Sequence, residues 1–241
     1  MRTTWTIARR ELASFFDSLM AYILLVVFLG ISGFFTWWFG ADVFMQGQAD
    51  LGSFFNIAYW TLFFFIPALT MRTLAEERRT GTLDLLLTKA VTDWQVVLGK
   101  FTSCLLLIAA ALLCTLPYYI TVARIGPIDH GAAVCGYLAL LLMSASYIGI
   151  GVFASSITNN QLVAFLIALV IGACFHLLFG IVAASLTGSM GRVFDFLGMG
   201  VHFDSMSRGV VDSRDVLYFL SIAAAGLVGA ELQLAKRGLQ R

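Results

Sequence analysis

The chain has 241 residues and a net charge of +1, from 15 basic and 14 acidic side chains; 60% of its residues are apolar or aromatic and 12% are charged. A soluble domain has roughly 45–50% apolar and about 25% charged residues, so this chain is too poor in charge to coat a water-facing surface and too apolar for disorder. The near-zero net charge gives nucleic acid nothing to follow, and a mean hydropathy of +0.90 points to an all-α, polytopic membrane protein.

Residues 4–17 come first and are amphipathic. Trp5, Ala8, Leu12, Phe15 and Phe16 recur at helical spacing, while Arg9, Arg10, Ser14 and Asp17 lie off that stripe. The pattern predicts an interfacial helix, with rings among acyl chains and Arg9 and Arg10 near anionic lipid. The plainer alternative is an extension of the first span.

Charge-free runs then set the crossings, each needing about 20 apolar residues. Ser18–Ala41, Leu51–Met71 and Phe101–Ala123 are long enough for one each. Gly131–Gly191 is long enough for two, with its polar break at Ser155-Ser156-Ile157-Thr158-Asn159-Asn160-Gln161. Val216–Ala230 becomes long enough if Glu231 sits at the interface and the helix continues to Ala235. Six spans result: 18–40, 53–71, 101–123, 133–156, 161–186 and 216–235. The runs do not alternate polar and apolar residues as barrel strands would. With no linker and no internal repeat, residues 1–241 read as one transmembrane domain.

Lys and Arg divide eleven to four between the two sides. The richer side holds both ends of the chain and the loop 72–100, which places both termini in the cytoplasm. Six crossings require the same arrangement. The first apolar run is too long for a cleaved signal peptide. Trp37, Trp38, Tyr118 and Tyr119 fall where an outer aromatic belt belongs. Pro67 and Pro117 fall inside spans and are expected to kink them. Ser221, Ala225 and Gly229, spaced by four, form a small-residue stripe that allows a neighbouring helix to approach closely. Cys104, Cys114, Cys135 and Cys174 all lie within spans, without metal-ligand spacing, and read as packing thiols.

Two segments outside the spans are large enough to act. The loop after the second span reads MRTLAEERRTGTLDLLLTKAVTDWQVVLGK from Met71. Glu76, Glu77, Arg78 and Arg79 precede a Thr80-Gly81-Thr82 break, and Leu83, Leu86 and Leu87 form an apolar face beside Asp84. Two short amphipathic pieces around a glycine suit a docking surface for a partner; a solvated connector against headgroups is the alternative. The outer segment 189–215 mixes Phe203, Met206 and other apolar residues with Asp204, Arg208 and Asp212. It is too apolar for a solvated loop and predicts short helices buried against protein.

Some chemistry is missing. Gly99-Lys100 is followed by Phe101 and lacks a glycine five positions upstream, so it forms no P-loop. No Asp, Glu, Lys or Arg falls mid-span, which argues against an ion-coupled carrier. His176 with Ser144 and Ser146 allows an intramembrane Ser–His hydrolase, but ordinary interhelical hydrogen bonding accounts for these residues more simply.

The layout and the run Glu76-Glu77-Arg78-Arg79-Thr80-Gly81-Thr82-Leu83-Asp84-Leu85-Leu86, closed by Gly99-Lys100, resemble the ABC-2 type transporter permeases. Lys89-Ala90 stands where that family usually has a proline. The stretch from His202 to Asp212, running into Asp215-Val216-Leu217-Tyr218-Phe219, is similar to the gliding-motility-type subgroup. The resemblance implies a non-enzymatic membrane subunit of the bacterial inner membrane that binds no cofactor itself. ATP and Mg would be held by a separate ABC ATPase, seated on a coupling loop of Glu76, Glu77, Arg78, Arg79, Gly81, Thr82, Leu83, Asp84, Leu86 and Leu87. It further implies a second permease copy or a related membrane subunit, and contact with lipid. Two other readings are a stand-alone ion-coupled carrier and a non-transporting subunit that passes ATPase motion to a periplasmic machine.

Overall fold

The computed structural model describes residues 2–38, 50–81 and 91–238. Within them the chain is helical: α1 (Arg2–Asp17), α2 (Leu19–Trp37), α3 (Gly52–Thr70), α4 (Ala75–Thr80), α5 (Asp93–Leu113), α6 (Leu116–Ile125), α7 (His130–Ile157), α8 (Gln161–Ala173), α9 (Phe179–Ser185), α10 (Ser189–Leu197), α11 (Met199–Ser207) and α12 (Ser213–Gly238). Six helical segments are long and apolar enough to cross a bilayer: Leu19–Trp37, Gly52–Thr80, Asp93–Ile125, His130–Ile157, Gln161–Ser185 and Ser213–Lys236. All six expected spans are therefore present, with α1 preceding them.

α7 is the centre of the bundle. It packs against α12, α8, α3, α11 and α5, and most of its surface is buried. Glycines allow the closest of these contacts. A Cβ on Gly226 of α12 would lie 2.4 Å from the carbonyl carbon of Gly149 on α7, and one on Gly149 would lie 2.7 Å from the Ala223 oxygen. Backbone therefore meets backbone, the arrangement small residues permit where lipid offers no competing drive. Ser146 of α7 donates to the Phe219 carbonyl at 2.7 Å beside this crossing. The buried seam of α12 is Phe219, Ala223, Gly226 and Ala230, whereas Ser221 and Ala225 of the expected stripe are exposed. Strict spacing by four drifts around a helix of 3.6 residues per turn; alternating fours and threes stay on one face.

The two prolines behave differently. α3 runs through Pro67 to Thr70. Pro117, by contrast, ends regular α-helix four residues upstream, because it has no N–H for the Leu113 carbonyl. The chain tightens there: Thr115 N–H bonds the Leu112 carbonyl at 3.0 Å, and Tyr118 N–H bonds that of Thr115 at 2.9 Å. A π-helical turn, Cys174–Leu178, interrupts the fifth span.

The segment before the last span folds into two short helices; α11 is buried as its composition predicts, whereas in α10 only Gly191 is buried. Met199, His202, Phe203 and Met206 of α11 are buried. His202 fixes this hairpin to α12: its Nε2 donates to the Phe196 carbonyl at 2.8 Å, and its Nδ1 lies 2.7 Å from Asp215 Oδ1. Tyr218 stacks on the imidazole at 3.9 Å and donates to the Leu197 carbonyl at 2.6 Å.

Candidate coupling site

α4 is built from its charges. Glu76 and Glu77 fall in its first turn and Arg78 and Arg79 in its last, the order that complements a helix dipole. Gly81 closes it at φ +72°, a left-handed conformation that glycine adopts without a Cβ penalty. Six residues are too few to hold a helix by themselves, so the rest of the chain must hold α4.

Ser155, at the far end of α7, provides part of that support. Its hydroxyl oxygen accepts from the N–H groups of Leu74 and Ala75, at 3.0 and 2.9 Å, and it donates to the Met71 carbonyl at 3.1 Å. A side chain from another span thus satisfies donors that every helix start leaves open. In the sequence this serine looks like part of a polar break between spans.

Lys100 supplies the second support. Its side chain is 1% exposed, on the second turn of α5. Its Nζ donates to Glu77 Oε1 of α4 at 2.8 Å and lies 3.3 Å from Glu11 Oε2 of α1. Arg10 extends the cluster, 2.8 Å from Glu11 and 4.0 Å from Glu77. The charges alternate, and three elements far apart in sequence meet at one buried ammonium. Burial by itself would raise the Glu11 carboxyl, but Lys100 and Arg10 outweigh it and hold it below its ordinary 4.5. Beside this cluster Gly99 lets α1 lie directly on α5, since a Cβ there would strike the Ile7 side chain at 2.6 Å.

These pairings show where the expected coupling residues stand. Glu77 faces into the chain, and Glu76 is 3.0 Å from Arg72 one turn back. Arg78 is half-buried, whereas Arg79 and Thr80 are exposed. Thr82, Leu83, Asp84, Leu86 and Leu87 lie outside the described residues. On α1, Ala8 and Phe15 are buried, Leu12 and Phe16 are partly so, and Trp5 is 58% exposed. Part of the stripe expected to enter lipid instead packs on protein, joined by Ile7. Arg9 is exposed and Arg10 joins the ion cluster.

Among the described residues the outer candidates share no buried ion pair like that of Lys100. Phe203 is buried against Tyr59, ring to ring at 4.6 Å. Asp204 and Arg208 rim a hollow of about 270 Å³ shared with Asp50 and Asn56, and Arg208 Nε donates to the Asp204 carbonyl at 3.0 Å. Asp212 caps α12, accepting from Arg214 N–H at 3.0 Å. The Ser–His constellation is likewise not assembled. Ser144 and Ser146 bond to main-chain carbonyls, while His176 Nδ1 lies 2.7 Å from the Tyr147 hydroxyl, its ring stacked between Tyr59 and Phe63.

With six spans and this braced cluster of short helices in place, comparison with known proteins decides the family. The profile described as "ABC-2 family transporter protein" matches residues 40–208, more than half of the chain. The chain belongs to the ABC-2 family of transporter proteins. It is also similar to the probable multidrug ABC transporter permease YbhR of Escherichia coli strain K12 and of Escherichia coli O157:H7, 30% identical to each over 101 residues. That match covers 42% of this chain and spans 27% of the length of either relative. As an ABC-2 family chain it is a multi-pass membrane permease subunit, and the buried ammonium braces the loop that follows its second span.

Proposed function

We propose that this chain is one permease unit of an ATP-driven transporter in the bacterial inner membrane. In this reading both termini face the cytoplasm and a separate ABC ATPase docks on the loop following α3. Residues 1–241 form a single transmembrane domain that pairs with a second copy or a related membrane subunit. The stretch from His202 to Phe219 supports a place in the gliding-motility-type subgroup. The word multidrug in the YbhR name favours an amphiphilic cargo, which six apolar spans could accommodate.

The observation that carries the reading is the fastening of α4 by Lys100 and Ser155. Force from an ATPase is useful only if its point of application is rigidly joined to the spans. A helix of one and a half turns, pinned to α7 by a hydroxyl and to α5 and α1 by ion pairs, meets that need. Leucines 83, 86 and 87 would seat in the ATPase, each burial contributing about 1.5–3 kcal/mol before ordering costs. Arg79 and Thr80 are the exposed charge and hydroxyl next to that contact.

The test is partner dependence. The chain is purified with its ABC ATPase and reconstituted in vesicles, and nucleotide hydrolysis and cargo movement are followed with and without that subunit. ATP-dependent movement that disappears with the ATPase, and survives a proton uncoupler, is the expected outcome. Full turnover by the chain alone, without nucleotide, would overturn the proposal.

A further inference from the structure

The helix break at Cys114–Thr115 leaves a groove between α5–α6 and α7 that the bundle does not fill. It encloses about 420 Å³, within the range of ligand sites, and is lined by Leu112, Leu113, Leu116, Val134, Leu138 and Leu141 among others. The break itself adds no polar surface to it. The Thr115 hydroxyl donates to the Leu112 carbonyl at 2.6 Å, and the Tyr137 hydroxyl donates to the Thr115 carbonyl at 3.2 Å. The wall therefore presents carbon, and water would find no partners there. Yet Leu113 and Val134 are 62% and 67% exposed, so the groove opens outward from the bundle at membrane depth.

Beyond the Leu116 end of the groove lies a cation. Arg124 is exposed in the last turn of α6, eight residues or about 12 Å beyond Leu116. The Tyr119 hydroxyl, 2.8 Å from His130 Nδ1, ties α6 to the first residue of α7. Asp129, the nearby acid, is engaged in capping α7 through Ala132 N–H at 3.1 Å. A long apolar trough and, beyond its end, an exposed guanidinium with no ion pair among the described residues match one molecule in shape and charge. We propose that the groove holds an acyl chain of an anionic phospholipid whose phosphate pairs with Arg124. The chain fills space that would otherwise forfeit dispersion contacts, and the headgroup selects for negative charge.

The experiment uses the full chain in vesicles of phosphatidylglycerol and phosphatidylcholine, with a photoreactive diazirine in the acyl chain of one lipid at a time. With phosphatidylglycerol as probe, label should concentrate on residues 109–116 and 134–141, above that on the exposed face of α8. Leu138→Trp, which fills the trough, should abolish the excess. Arg124→Gln, a surface change that leaves packing intact, should lower it about fivefold, the worth of one cation at an anionic surface. Labelling equal to that on α8 and unaffected by Arg124→Gln would reduce the groove to ordinary boundary lipid and overturn the proposal. Equal labelling by both lipids would overturn the headgroup assignment. Disulfide capture between two Leu138→Cys chains, replacing lipid labelling, would assign the groove to a second copy and overturn it as well.

Discussion

Lys100 is a charge with no route to water, and its worth lies in what its loss would strand. Removing one member of a buried pair costs about 3–5 kcal/mol, because the remaining charges stay desolvated. Lys100→Met keeps the volume but leaves Glu11 and Glu77 facing each other. It is expected to destabilise the chain by about 3 kcal/mol, read as a lowered thermal midpoint in detergent. Adding Glu77→Gln to Lys100→Met removes one of the two stranded carboxylates and should recover part of that loss; no recovery would mean that the loss does not come from the unpaired charges. The sequence shows Gly99-Lys100 as a pair and marks Lys100 as the border of a span. Its partners are not legible there, since Glu77 is 23 residues away and Glu11 is farther still. Hydropathy shows where a helix enters the membrane and says nothing of which side chains meet at that point. Ser155 escaped for the same reason: a serine at a span end looks solvated until another helix places its open N–H groups beside it.

Among the elements, the six spans were readable because hydrocarbon imposes one rule on every backbone that crosses it. Which face of each span meets which neighbour follows no such rule, as the misplaced α12 stripe illustrates. Gly226→Leu tests the observed seam directly. Its added carbons point at the Gly149 backbone, so α7 and α12 must separate, at a cost of about 1–3 kcal/mol and a lower detergent midpoint. Gly30→Leu is the control, because nothing lies within 4 Å of a Cβ there. Equal effects from the two would dissolve the seam argument. The docking of α1 should depend on pH through Glu11. Its carboxyl is held below 4.5 in the folded chain, so its contribution is complete above that value. It is lost as pH falls through the lower, folded-state value. Acidification below 4.5 should therefore expose α1 to an acid-active protease. Glu11→Gln should flatten that dependence and leave α1 more accessible at neutral pH, whereas an unchanged acid profile would place α1 docking on Ile7 and Phe15 alone.

At the scale of the whole molecule, the described charged residues of the loop divide into those that hold it and those that stand exposed. Glu77 belongs to the first group and Arg79 to the second, although they stand two residues apart on one short helix. Their reversals should therefore separate fold from coupling. Glu77→Lys sets a second ammonium against Lys100, so both the thermal midpoint and ATPase stimulation should fall. Among the described residues Arg79 has no ion-pair partner, so Arg79→Glu breaks none of the pairings that brace α4. The midpoint should hold within about 0.5 kcal/mol, as for most surface substitutions, while stimulation of the proposed ATPase subunit should drop severalfold. The measurements are thermal unfolding of the isolated permease and nucleotide hydrolysis by the reconstituted pair. If Arg79→Glu leaves hydrolysis untouched while Glu77→Lys abolishes it, the loop serves to brace the bundle and the ATPase must act elsewhere. The split is informative because both residues lie in one motif, where a sequence match treats them alike and only the position of Lys100 tells them apart.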